Sequence, residues 1–153
     1  MARMSEMPEG LAKLLKGLEC QAPPTASFVT GKPLTARRVA IISTAGLQRR
    51  GEKPFSLGAS DYRVIPSDLP ASDLVMSHVS SNFDRNGFQE DVNVVFPIER
   101  LRELANEGVI GSVAEFHYSF MGATDPNDMA ETVDQLAPIL KNDGVDAVLL
   151  APV

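Results

Sequence analysis

The sequence holds one cysteine, Cys20, in 153 residues. That excludes an internal disulfide and fits a reducing cytoplasm. No apolar stretch approaches the roughly 20 residues needed to cross a bilayer, so no membrane partner is expected. The start, Met1 to Glu6, leads into an amphipathic segment rather than a continuous apolar one, and so is not a secretory signal. Basic residues are fewer than acidic ones, 14 against 20, and the net charge is −6. They are scattered, with pairs only at Arg37-Arg38 and Arg49-Arg50. Nucleic-acid phosphates would be repelled, so such a partner is not expected either. No Gly-x-Gly-x-x-Gly and no Gly-Lys-Ser/Thr occurs, which argues against a bound dinucleotide or nucleoside triphosphate. The two histidines, His78 and His117, form no short metal-binding pair, so no metal is expected. There is no internal repeat and no low-complexity segment.

What remains is ordinary for a globular domain, with 44% apolar and 22% charged residues. Leu11, Leu14, Leu15 and Leu18 share one face of a helix expected over residues 6–19. Gln21 to Pro33, with three prolines, reads as an extended arm. Residues 1–36 are therefore read as an N-terminal helix and proline-rich arm. Residues 37–153 are read as a single α/β domain, expected to be incomplete at its C-terminus.

Within that domain, strands are expected at Val39–Ile42, Tyr62–Ile65, Leu74–Met76 and Val113–His117, with a loop over residues 47–60. One helix should open at Pro97, carry Ile98, Leu101, Leu104 and Ala105 on its apolar face, and stop at Gly108. A second should be capped by Asp125 and Pro126 and carry Met129, Val133, Leu136 and Leu140 as a stripe. Strands alternating with amphipathic helices predict an open, mostly parallel sheet flanked by helices, in a Rossmann-like three-layer arrangement. The run Val145 to Val153 reads as a buried closing strand. In an open α/β sheet a ligand lies just past the carboxyl ends of the strands. The 153 residues are thus expected to be the front part of a longer protein.

Four candidate strands end in small or polar residues: Ser43-Thr44-Ala45-Gly46, Ser77-His78-Val79-Ser80, Tyr118-Ser119-Phe120-Met121-Gly122 after His117, and Ala151-Pro152-Val153. If the strands are parallel, these ends share one rim and form one pocket. The bland alternative is that loops after strands are polar in any α/β protein. Ser43, Thr44 and Gly46 could meet a carboxylate through a small-residue turn. His78 and His117 could donate a proton or hold a carboxylate; the alternative is a histidine that bonds its own loop. Arg85 and Arg100 could grip a carboxylate, or form surface ion pairs with Asp84, Glu99 or Glu103. The expected substrate-binding set is Ser43, Thr44, Gly46, His78, Ser80, Asp84, Arg85, Arg100, His117 and Ser119. Cys20 has no basic neighbour closer than Lys16 and is not expected to be a nucleophile. No catalytic residue is expected within the chain.

Four segments are more specific. Ser80-Ser-Asn-Phe-Asp-Arg-Asn-Gly-Phe88, Asn93-Val-Val-Phe-Pro-Ile-Glu-Arg-Leu101, Gly111-Ser-Val-Ala-Glu-Phe-His-Tyr-Ser-Phe-Met-Gly122 and Asp143 to Val153 resemble the selenoprotein B family. This family comprises the glycine, sarcosine, betaine and D-proline reductases. The likeness covers the body from about Arg38 onward and is closest to the short D-proline-reductase-like members. It implies that the strand ending at Val153 runs directly into a selenocysteine or cysteine, often with a second cysteine a few residues on. Neither residue is in the chain, and an unrecoded UGA codon after Val153 is the expected reason.

The implied chemistry is reductive C–N cleavage of an amino acid or amine by a selenolate, later restored by thiols. A pyruvoyl-bearing partner subunit that activates the amine is implied with it, and selenocysteine after Val153 takes the place of any cofactor. Two other readings stay open: a non-catalytic α/β binding or partner subunit, and a metal-dependent hydrolase using His78, His117 and Asp84. Because a covering helix would be missing, an exposed apolar sheet face should be hidden by self-association or by the N-terminal helix and arm.

Overall fold

The structure is a computed structural model that describes residues 4–17, 29–80 and 85–153. The chain divides into two compact units between Thr30 and Gly31. In the first, a short 3-10 turn at Met4–Glu6 precedes a helix, α1, at Glu9–Lys16. Leu18, Cys20 and the Pro23-Pro24 stretch of the expected arm lie outside the described residues.

The second unit is built around β1, Arg38–Ser43. Val39, Ala40 and Ile41 are buried, as a continuous apolar run should be when both faces of a central strand are covered. Next come β2 at Leu47–Arg49, β3 at Arg63–Pro66 and β4 at Leu74–Met76. A one-turn helix, α2, spans Asn86–Glu90, and α3 spans Ile98–Asn106. Then follow β5 at Ser112–Val113, β6 at Phe116–Ser119, α4 at Ala130–Asn142 and β7 at Ala147–Ala151.

β7, β5 and β6 all run parallel to β1, with β7 on one side and β5 and β6 on the other. β3 closes the far edge antiparallel to β6. The sheet is therefore mixed rather than mostly parallel, and a Rossmann-like winding is not what it shows. Leu74–Met76, expected as another strand of that sheet, instead forms a separate antiparallel pair with β2. β2 itself lies in a stretch expected to be loop. Its three residues are too short for periodicity to reveal, and they are a strand only because β4 supplies the partner.

Helices cover both faces. Ile98 and Leu101 of α3 join Val39, Ile41, Ile65 and Phe96 in the larger core. Leu136 and Leu140 of α4 pack with Ile42, Tyr118 and Phe120 on the opposite face. The switch from one cluster to the other follows the period-2 alternation along β1 and β6. Pro97 takes the N-cap position of α3 rather than its first turn. Asp125 accepts a hydrogen bond from the Asn127 N–H, 2.9 Å, opening a 3-10 turn that runs into α4.

The closing strand departs from expectation. Among the described residues β7 is an edge strand rather than a buried one, and Val148, Leu149 and Leu150 are 41%, 37% and 67% exposed. Among the described residues, no helix is long and apolar enough to cross a membrane.

Candidate functional site at the carboxyl rim of the sheet

The carboxyl ends of β1, β6 and β7 meet. Ser43 stands level with Ser119 on one side and Ala151 on the other. Just past them, the Thr44 N–H donates to Ala151 O at 3.1 Å, and the Gly122 N–H donates to Thr44 O at 2.9 Å. Thr44 Oγ1 accepts from the Val153 N–H at 2.8 Å and donates to Val153 O at 3.3 Å. The segment after β4 arrives at the same rim by another route, because the Ser77 N–H donates to Gly46 O at 2.9 Å. The expected convergence of Ser43–Gly46, Ser77–Ser80 and Ser119–Gly122 is therefore present, although β4 is not in the main sheet.

The turn at Ser43–Gly46 spends its amides inside the protein. Thr44 N–H goes to Ala151, Gly46 N–H to Phe120 O at 2.9 Å, and Ala45 N–H to Ser43 Oγ at 3.2 Å. None of these three is left to meet an anion. Gly46 has φ +65°, and a Cβ there would lie 3.0 Å from the His78 N. Glycine is required by both the left-handed backbone and that close approach. Ser43 and Ser119 are fully buried, and Ser119 Oγ accepts from the Leu47 N–H at 2.8 Å.

The histidines differ in placement. His78 is buried at the rim, and its Nδ1 accepts from the Ser80 N–H at 3.1 Å. Burial lowers its pKa, and the Arg85 guanidinium lowers it further. His117 lies inside the sheet rather than at the rim, with no exposed surface. Val39 pairs with Val113, but Ile42 pairs with Tyr118, so three steps on β1 answer five on its neighbour. The bulge leaves a backbone donor unmatched, and His117 Nδ1 takes it, accepting from the Ile41 N–H at 2.9 Å. An accepting Nδ1 assigns the proton of the neutral ring to Nε2. Nε2 is buried and has no hydrogen-bond partner among the described residues. The ring stands edge-on to Phe96 with centroids 5.5 Å apart. Burial above all, with Arg102 adding to it, pushes the His117 pKa down to about 4, so the ring is neutral at pH 7.

Arg85 is turned onto the backbone, donating to the carbonyls of His78 and Ser80. It braces the loop that carries His78. Arg100 is an exposed side chain engaged by Glu103 at 2.9 Å and Glu99 at 3.8 Å, with no hydrogen bond to the rim among the described residues. Asp84 lies outside the described residues. Among the described residues no cluster of three or more His, Cys, Asp or Glu is arranged to hold a metal ion.

Two rim residues lie in the strand-end segments read from the sequence but outside the expected substrate-binding set. Ser77 Oγ donates to Gln48 Oε1 at 2.7 Å and accepts from the Phe55 N–H at 3.0 Å, tying the 50–56 loop to the rim. Gly122 is crowded: a Cβ there would lie 2.5 Å from Val153 O and 2.8 Å from Thr44 O. Beside Thr44 opens an apolar groove of about 270 Å³ between α4 and the sheet, lined by Ile42, Phe120, Leu136, Leu140 and Leu150. A larger cleft, about 460 Å³, lies at the amino end of β6, between Pro66, Arg102 and Phe116. It is on the wrong rim for a site at strand carboxyl ends. Arg102 already donates there to Ser67 O.

Comparison with known proteins gives concordant matches. The family model described as glycine/sarcosine/betaine reductase selenoprotein B matches residues 32–153. D-proline reductase subunit gamma of Acetoanaerobium sticklandii is 35% identical over 145 residues, covering 90% of this chain and 59% of that protein. Glycine reductase complex component B subunit gamma of Peptoclostridium acidaminophilum is 29% identical over 92% of this chain and 35% of that protein. Betaine reductase complex component B subunit beta of the same organism is 28% identical over 78% of this chain and 28% of that protein. The chain thus spans less than two thirds of the length of the curated relatives it matches. No solved structure matches.

Proposed function

Since the chain belongs to the glycine/sarcosine/betaine reductase selenoprotein B family, we propose that it is a subunit, or part of one, of a selenol- or thiol-dependent reductase acting on an amino acid or amine. The nucleophile of the intact protein is a selenocysteine or cysteine immediately after Val153. One observation carries the reading: Val153 is held at the rim where the carboxyl ends of β1, β6 and β7 meet. A residue following it would enter the crevice that open α/β sheets use for ligands.

The proposed reaction is reductive cleavage of a C–N bond. The chalcogenolate bonds to the carbon bearing the amino group. The C–N bond breaks, and the amine leaves with its electron pair and takes up a proton. A thiol then attacks the chalcogen, so that the carbon departs with the bonding pair and is protonated. The selenenyl sulfide left behind is reduced by a second thiol. A pyruvoyl-bearing partner subunit would activate the amine beforehand, and the names of the relatives, as complex components and subunits, favour such an assembly. Residues of this chain would shape the pocket: Thr44 and Gly46, with the His78–Ser80 loop, braced by Arg85, packed against Gly46. Asp84, Arg100, Ser43, His117 and Ser119 complete the proposed set, Ser43, His117 and Ser119 from within the sheet as supports of the rim.

The test is the intact protein, read through any UGA after codon 153, assayed with D-proline, glycine, sarcosine and betaine, a dithiol and its partner subunit. Thiol-dependent release of the amine, or ring opening of D-proline, is the expected result, with the 153-residue chain alone inactive. No turnover of any of the four by a protein shown to carry the chalcogen would overturn it. A second reading, a non-catalytic binding or partner subunit, is favoured by the internal use of the Ser43–Gly46 amides. An ordinary stop after codon 153 would support it.

A further inference from the structure

We infer that Thr44 is the positioning residue that sets the direction in which the backbone leaves β7, and that Gly122 is the surface against which it is set. The inference rests on the reductase reading for its purpose, but not for its geometry. β7 has no neighbour on its outer side among the described residues, and the last residues of an edge strand fray unless tied. The tie here is a side chain.

Thr44 is the first residue beyond β1. Its N–H bonds Ala151 O at 3.1 Å, continuing the ladder by one rung. Its hydroxyl then continues the pattern, accepting from Val153 N–H at 2.8 Å and donating to Val153 O at 3.3 Å. The nitrogen belongs to the peptide plane before Val153, and the oxygen sits on the terminal carboxyl carbon of this chain, where a further residue would be joined. One hydroxyl therefore holds Val153 on both sides of its Cα, which is the point from which an added residue departs. Pro152 narrows the choice further by fixing its own φ and holding Ala151 extended.

Gly122, three residues past the end of β6, completes the clasp. Its N–H donates to Thr44 O at 2.9 Å, which holds Thr44 in place. The space a Cβ would need is filled by Val153 O at 2.5 Å and Thr44 O at 2.8 Å. A side chain at 122 would have to displace Val153 O and Thr44 O, the two groups the clasp is made of. The backbone direction of a nucleophile after Val153 is thereby set by packing and one hydroxyl.

The experiment appends one cysteine after Val153 in a Cys20→Ser chain and reads two quantities. The first is hydrogen exchange of the Val153 amide by NMR. The second is the pH midpoint for alkylation of the appended thiol by iodoacetamide. With Thr44 intact, the amide is protected and the midpoint is displaced from the value of about 8.5 of a free thiol. Thr44→Val, which keeps the shape and loses the hydroxyl, should speed exchange about tenfold, the scale of one lost hydrogen bond, and return the midpoint to the free value. Thr44→Ser should retain both properties, and Gly122→Ala should behave as Thr44→Val does. Unchanged exchange in Thr44→Val overturns the inference. So does lost protection with an unchanged midpoint, or a free-thiol midpoint in the parent chain. Neither readout involves substrate, so an inactive intact protein would leave the clasp standing, and a failed clasp would leave the reductase assay to decide the reaction.

Discussion

His117 shows how one side chain can complete a sheet. It supplies an imidazole nitrogen where the bulge between β5 and β6 leaves the Ile41 N–H without a carbonyl. Protonated at Nδ1, the ring could no longer accept that bond. With a pKa of about 4 folded against the ordinary 6.5, the unfolded chain binds more protons between those values. Stability is therefore complete above pH 6.5 and falls as pH drops from there toward 4. At 1.36 kcal/mol per unit, the loss from this residue is at most about 3 kcal/mol. His78, lowered by burial and by Arg85, adds in the same direction. Urea midpoints between pH 7.5 and 4 should fall in the parent chain, with a shallower fall in His117→Gln. An equally steep fall in that variant would remove His117 as the cause. The residue types of this site were readable in the sequence, but their roles were not. Periodicity places His117 in a strand, yet only the two-residue bulge turns its ring onto a backbone amide.

At the scale of elements, β7 carries the clearest physical tension. Ala-Val-Leu-Leu-Ala is the pattern of a strand covered on both faces, yet it stands at an edge with three large apolar side chains exposed. Val133 and Ile139 of α4 are also exposed, and the apolar groove opens between that helix and β7. We expect the 153-residue chain to self-associate through this face, and a lysine on the edge to oppose it. Sedimentation velocity over a range of concentrations should show mass increasing in the parent chain and a shift toward monomer in Leu150→Lys. A parent chain that stays monomeric throughout would remove the expectation. The major elements were legible: β1 from its apolar run, and α3 and α4 from their spacing and stops. The short ones were not. β2 exists through pairing with residues 74–76, and β5 and β6 are one expected strand broken at Ala114-Glu115. Neither event leaves a periodic trace.

For the molecule as a whole, the four segments that resemble selenoprotein B reductases were sufficient to identify the family, because specific residues in long runs do not depend on knowing the sheet. Composition likewise pointed away from disulfides, membrane-spanning helices and nucleic-acid binding, each of which requires a residue type or run that is scarce or missing here. The alternation of strands and helices followed from hydrophobic period, a property of neighbours along the chain. Strand order, the antiparallel edge at β3, the separate β2–β4 pair and the meeting of Thr44, Gly122 and Val153 did not. These are contacts between residues from 25 to more than 100 positions apart, made largely by backbone groups that are nearly the same in every residue. A threonine or a glycine looks alike anywhere in a sequence; folding gives each of these one neighbour and, with it, one task.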